Sequence, residues 1–229
     1  MVSDGADCKL TGRLEKVACG AFSDSAFAVG RKRRDFCGLL SDHASPAAYW
    51  RMAGSSTWIS ATGKLRRMDI RAATAADLPQ ILAIYNDVIA TTNAIYDETA
   101  STLAERQAWF DDRKRGGWPV LVAESNGEVL GFSSFGPWRT RWGYRFTVEH
   151  SVHVRADQRG KGIGGALIEA LFPHAKALGM HVMIGAIDSH AAASLHLHQK
   201  LGFDRAGTCR EVGQRGGRWL DLVFMQRLL

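Results

Sequence analysis

The stretch from Val148 to Leu178 constrains this 229-residue chain more than any other. It runs as an apolar segment VEHSVHV, a charged bend RADQR, a glycine cluster GKGIGG and a helical pattern ALIEALFPHAKAL. A strand that ends in a loop of free N–H groups opening a helix is a ready anion site. The folded part must therefore combine strands and helices around that junction.

The remaining pattern agrees with this from Met68 onward. Met68-Asp-Ile-Arg-Ala alternates as a short strand, and Thr74-Ala-Ala-Asp77 resembles a capping box before a helix carrying Leu78, Ile81, Leu82, Tyr85, Val88 and Ile89 on one face. Pro79 falls in the first turn, where it is tolerated. Ser101 or Thr102 caps a second helix with Leu103, Ala104, Gln107, Trp109 and Phe110, which Gly116-Gly117 ends. Two strands then flank Ser125-Asn126-Gly127, a strong hairpin signal. After the loop GPWRTRWGYRF come the strand Thr147 to Val154, the helix after Gly164, a buried strand HVMIGAI, a helix about Ala191 to Leu201, and strands Phe203–Val212 and Trp219–Arg227. Pro173 inside the first of these helices predicts a kink unless the helix is otherwise held. The order β, α, α, β, β, β, α, β, α, β, β gives an α/β (α+β) fold, a mixed central sheet flanked by helices.

Residues 1–67 differ in kind. They lack a convincing period, hold the basic run Arg31-Lys32-Arg33-Arg34, and carry 11 basic against 6 acidic residues, whereas 68–229 carry 18 against 17. The net charge of +6 thus belongs mostly to this segment and gives the folded part no nucleic-acid signature. Asp4, Asp7 and Glu15 spoil a secretory or transit reading. The expectation is a weakly ordered extension at 1–67, with Met68 an alternative start, and a folded domain at 68–229. No apolar run approaches the roughly 20 residues of a membrane span. Cys209 alone follows Met68, so 68–229 forms no internal disulfide, which suits a reducing cytosol.

Several residues invite chemistry. Gly160, Gly162 and Gly164 allow close backbone approach to a pyrophosphate, and Arg159 or Lys161 adds charge. Gly160-x-Gly162-x-x-Gly165 also fits the dinucleotide fingerprint, with Asp188 about 20 residues on. Against it, Arg155 to Arg159 separate strand from glycines, and too little chain follows Asp188 for the remaining strands. Glu149 in a half-apolar strand is equally a base raised by desolvation or one half of an ion pair with an arginine. Strand alternation points Glu149 and His150 to opposite faces, which leaves His150 structural. A zinc site is excluded: His196 and His198 face apart on a helix, H-E-x-x-H is absent, and one cysteine is too few.

Arg159-Gly160-Lys161-Gly162-Ile163-Gly164 matches R-x-x-G-x-G, and the chain resembles the GNAT N-acetyltransferases. NDVIATTNAIYDET, RQAWF, PVLVAE, FSSFGPWR, GYRFTVEHSVHV, HVMIGAID, LHQKLGF and GRWLDLVFMQ are similar to the phosphinothricin and methionine-sulfoximine acetyltransferase branch, over essentially all of 68–229. The resemblance implies acetyl-CoA as co-substrate, no metal, and a small amino-acid acceptor in a cytoplasmic homodimer that binds neither nucleic acid nor membrane. It implies Glu149 as general base and, where relatives often carry tyrosine, His198 as acid for the leaving thiolate, with a helix-capping or core histidine the equal alternative for His198. Val152, His153 and Val154 would hold the pantetheine arm and oxyanion, Arg159 to Gly165 (Gly160, Lys161, Gly162, Ile163 and Gly164 between) the pyrophosphate, and Ser194 the cofactor from the last helix. Arg139 of Trp138-Arg139 resembles a carboxylate clamp, with Tyr144, Arg145, Phe135, Thr147 and Thr92 walling the pocket and Ile95 and Tyr96 closing it. Trp219 and Phe224 fall to core or dimer interface. Two departures stand out. Ala191 replaces the usual cofactor-contacting Asn, and Phe146 replaces a His or Tyr. The alternatives are another acceptor, a polyamine or protein N-terminus, or an acyl-CoA-binding domain without turnover.

Overall fold

A computed structural model describes residues 50–51, 57–59 and 65–229, all within one compact unit, Ala44–Leu229. The basic run at 31–34 and most of the expected extension lie outside the described residues. Within that segment, β1 (Trp50–Arg51), β2 (Thr57–Ile59) and β3 (Leu65–Arg67) pair antiparallel as a small sheet. Two- and three-residue strands are too short for alternation to show in sequence.

Beyond them lies a seven-stranded sheet. Its strands are β4 (Asp69–Ala72), β5 (Val120–Ser125), β6 (Glu128–Pro137), β7 (Thr147–Val154), β8 (Val182–Asp188), β9 (Asp204–Arg215) and β10 (Arg218–Leu228), in the order β4-β5-β6-β7-β8-β10-β9. Only β7 and β8 run parallel, as their helical crossover requires. The β5–β6 turn places Asn126 at φ 54° and Gly127 at φ 80°, the paired left-handed residues of a type I′ hairpin. A bulge follows: Ala123 pairs Gly131 but Glu124 pairs Val129, which leaves Leu130 extra and puts it and Gly131 on one face.

Helices cover both faces. On one, Leu78, Ile81 and Ile84 of α1 (Leu78–Thr91) pack on Val122, Val129 and Phe132. On the other, Ile163, Leu167, Ile168 and Leu171 of α3 (Ile163–Ala177) pack on Leu121, Ala123, Leu130 and Val148. Burial of such side chains stabilises by roughly 1.5–3 kcal/mol each, and this holds the helices to the sheet. α3 runs through Pro173 as one element, with Leu171 and Ala175 on either side at 0% exposure. α4 (Ala192–Lys200) leads to the β9–β10 hairpin.

α2 (Leu103–Arg115) departs from expectation. Of the two caps expected, Thr102 is the one used, and it forms a capping box, with Glu105 N–H donating to Thr102 Oγ1 at 3.3 Å and Thr102 N–H to Glu105 Oε2 at 2.8 Å. Its inward face, however, mixes the expected Gln107, Trp109 and Phe110 with two arginines. Leu103 is 49% exposed, while Arg106, Trp109, Phe110 and Arg113 are half-buried. Two arginines thus face the sheet where an ordinary helix presents aliphatic side chains. Among the described residues no helix is long and apolar enough to cross a membrane.

Candidate active site

The site begins where two strands part. β7 and β8 are in register from Thr147–Val182 to His150–Gly185, and there their pairing stops. Beyond it, Ser151 to Val154 still pair with Ser134 to Gly131 of β6, while Leu222 and Asp188 continue the β8–β10 pairing. The second edge of β7 at Ser151–Val154 therefore has no strand beside it. A cavity of about 240 Å³ opens in the gap, lined by Glu149 to His153, Gly185 to Asp188, Ala191, Ser194 and His198, with Ala94 and Tyr96 over it. Backbone polar groups on such an unpaired edge demand partners, which a ligand amide or a carbonyl oxygen supplies.

Alternation divides β7 between the two faces. Glu149, Ser151 and His153 point toward α1 and α2; Val148, His150 and Val152 point toward α3 and α4. His153 lies edge-on to Tyr85, centroids 5.9 Å apart, and 5.1 Å from Phe132. Burial first, then Arg106 and Arg159, hold its imidazole down at about 4, so it is neutral. Glu149 is half-buried. Burial pushes its carboxyl above the usual value, while the positive charges of Arg113 and then Arg139 oppose that rise.

At the front of α3, Gly160 and Gly162 adopt φ 75° and 79°, which a side chain would strain. The helix's first bond runs from Ala166 N–H to Gly162 C=O at 3.1 Å. The N–H groups of Ile163, Gly164 and Gly165 are therefore free of intrahelical partners. A Cβ at Gly164 or Gly165 would stand in van der Waals contact with Leu197 at 3.4 Å. Such a cradle fits a pyrophosphate. Ile163 contributes its main chain alone, since its side chain is 5% exposed within the core. Arg159 is exposed, with Nε donating to Val154 C=O at 3.1 Å and Nη2 3.4 Å from Asp87. Lys161 Nζ donates to Gln158 at 3.0 Å.

His198 departs most from its expected part. It is 2% exposed; Nδ1 lies 2.7 Å from Ser194 C=O and Nε2 3.1 Å from His150 Nε2. A carbonyl only accepts, so Nδ1 carries the proton of the neutral ring, and Nε2 accepts from His150 Nε2–H. Burial lowers its proton affinity further. The ring thus has no proton free for a leaving thiolate, and its role as the acid does not fit this arrangement. Ser194 joins the cavity wall beside it.

The acceptor residues divide as well. Arg139 is exposed with its guanidinium 4.6 Å over Trp138, whose ring meets Tyr144 edge-on at 5.2 Å. Arg145 lies 4.5 Å over Trp142 and 4.3 Å over Phe146. Thr147 shares the face of Glu149. Phe135 does not: at 1% exposure it packs in the α3-side core, so it cannot wall the acceptor side. Thr92 turns back onto α1, its Oγ1 donating to Val88 C=O at 2.8 Å. Tyr96 does close the cavity, its hydroxyl 3.4 Å from both Asp188 Oδ2 and Asp221 C=O. Trp219 is 60% exposed and no part of the core, whereas Phe224 is half-buried. Ala191 begins α4 with no side-chain cap.

Sequence reasoning missed Arg106 and Arg113. Their spacing of seven, with Phe110 between, was the available signal. Among the described residues no group of three or more metal-ligating side chains occurs.

Residues 81–203 match the Acetyltransferase (GNAT) family. The chain is 59% identical over 158 residues to an L-methionine sulfoximine/L-methionine sulfone acetyltransferase of Pseudomonas aeruginosa, covering 69% of this chain and 92% of that protein. It is 48% identical over 159 residues to an L-amino acid N-acyltransferase of Escherichia coli, with 69% and 92% covered. A solved phosphinothricin acetyltransferase of Sinorhizobium meliloti in complex with AcCoA superposes with a TM-score of 0.68 at 39% identity, over 71% of this chain and 88% of that one.

Proposed function

The chain belongs to the GNAT acetyltransferase family and is an N-acetyltransferase using acetyl-CoA, and we propose that its acceptor is the α-amine of a small amino acid of the methionine sulfoximine or phosphinothricin type. One observation carries the reading: a single strand, β7, brings Glu149 and an unpaired backbone edge to one cavity and leads, through a short 3-10 turn at Ala156–Gln158, to the glycine loop at the start of α3.

The chemistry follows from that order. The loop Arg159 to Gly165 takes the pyrophosphate, and the free edge at Val152 to Val154 receives the arm and the thioester carbonyl. Glu149 takes a proton from the acceptor ammonium. The freed amine attacks the carbonyl carbon, a C–N bond forms, and negative charge gathers on the oxygen, where a β7 N–H stabilises it. Collapse breaks the C–S bond and releases CoA thiolate, which takes up the proton that the nitrogen gives up as it becomes an amide. His198 and Ser194 keep α4 in place beside this site rather than deliver that proton. Arg139 holds the acceptor carboxylate bidentately, with Tyr144, Arg145 and Thr147 around it.

The same reading includes a homodimer, supported by the exposed apolar side chains Trp142, Val212 and Trp219, and a cytosolic setting, supported by the free thiol of Cys209. It also implies that the enzyme protects against the herbicide phosphinothricin.

The test is CoA release with L-methionine sulfoximine, phosphinothricin, spermidine and a peptide N-terminus, on wild type and Arg139→Ala. The amino acids should turn over fastest, with KM for them raised at least tenfold in Arg139→Ala. Preference for spermidine or the peptide would overturn the acceptor assignment.

A further inference from the structure

Glu149 has a neighbour across the strand that provides no side chain. Its Cα partner on β6 is Gly136, and directly opposed residues on one sheet face stand with Cβ atoms roughly 4.5–5.5 Å apart. The space above Gly136 is nevertheless filled. A Cβ built there would overlap Arg113 Nη1 and lie 2.7 Å from Cζ and 3.2 Å from Nη2. α2 thus brings a guanidinium, Nη1 foremost, to the position a cross-strand side chain would occupy. Arg113 Nε is buried with no hydrogen-bond partner, so the group is not there to complete a local network.

Other charged groups surround Glu149, and they differ in permanence. Arg139 faces it from the loop after β6, but it is exposed and, on the function proposed above, binds the acceptor carboxylate. That carboxylate cancels its charge. Tyr96 approaches from the loop after α1 with a hydroxyl raised to about 12, hence protonated, and His153 on β7 itself is neutral. Arg106 lies two turns back on α2 over the Tyr85 ring at 3.9 Å, and Asp112 beside Arg113 is turned outward to Arg115 at 3.1 Å. With acceptor bound, Arg113 is the cation left beside the base.

We propose that Arg113 is a positioning residue that keeps Glu149 ionised, and so able to take a proton, in the acceptor-bound enzyme, and that Gly136 is glycine to admit it. The inference rests on Glu149 being the base.

The experiment is the pH dependence of kcat with L-methionine sulfoximine for wild type, Arg113→Gln, Arg113→Lys and Glu149→Gln, with melting curves for each. Arg113→Gln should move the acid limb upward by about one pH unit, a tenfold loss of kcat below the limb, as expected for removing an opposite charge within a few ångströms. Arg113→Lys should return the limb most of the way. An unmoved limb in Arg113→Gln, with Glu149→Gln inactive, would make Arg113 mere packing and overturn the inference alone. An active Glu149→Gln would overturn the base assignment beneath it. Should Arg113→Gln fail to fold, Gly136→Ala, which displaces the guanidinium but keeps its charge in the helix, is read instead, with the same upward shift expected and an unmoved limb decisive against it.

Discussion

His150 and His198 meet edge to edge at the cavity, Nε2 to Nε2 at 3.1 Å, with ring planes 23° from parallel. One proton suffices for that contact, and Gly185 makes room for it: a Cβ there would stand 3.1 Å from both rings. A second proton in the contact would make His198 a buried cation and set two N–H groups against each other.

Stability should therefore depend on pH through these rings. Burial, then His198, hold His150 down from 6.5 to about 3, and His153 lies at about 4. The unfolded chain binds protons below about pH 6.5 that the folded chain refuses, so stability is full above that value and is lost as pH falls toward 4. At pH 5 each such ring costs about 2 kcal/mol. The melting temperature should drop from pH 7 to pH 5, and His150→Gln should flatten the slope. A melting temperature independent of pH over that window would contradict neutral burial.

The glycine loop makes a contrast between two alanines. Gly160 has open space around it but φ 75°, so Gly160→Ala should cost about 1 kcal/mol of stability. Gly164 has an ordinary φ and a Cβ there would make only van der Waals contacts, with Leu197 at 3.4 Å and Val154 at 3.7 Å, so Gly164→Ala should leave the melting temperature within a degree or two while raising KM for acetyl-CoA several-fold. Unchanged KM in a folded Gly164→Ala would remove the pyrophosphate from this loop.

At the start of α4, Ala191 lines the cavity with a methyl group that neither caps the helix nor can form a hydrogen bond. Ala191→Asn should raise stability by about 1 kcal/mol and lower KM for acetyl-CoA, an effect read by melting curves and CoA-release kinetics. Greater stability with unchanged KM would confine the residue to capping.

Much of this was legible in the residues. Asn126-Gly127, the Thr102 capping box and the glycines before α3 each act through local backbone chemistry, which sequence displays directly. The family resemblance located Glu149 and Arg139. What stayed hidden depends on distant partners. Arg113 sits in a helix whose sequence, RQAWFDDRKR, reads as a solvated surface, and only its placement over Gly136 gives it a role. Phe135 looked like a pocket wall because FSSFGPW surrounds it, yet the bulge at Leu130 sets its side chain on the α3 face. His198 looked like an acid until both ring nitrogens found partners.

The most direct test of the account is steady-state CoA release by Glu149→Gln with saturating acetyl-CoA and L-methionine sulfoximine. Removal of a general base predicts a fall in kcat of roughly 10²–10⁴-fold with KM for acetyl-CoA unchanged, since the cofactor is held by the loop and the free strand edge. A folded Glu149→Gln enzyme that turns over at the wild-type rate would contradict it.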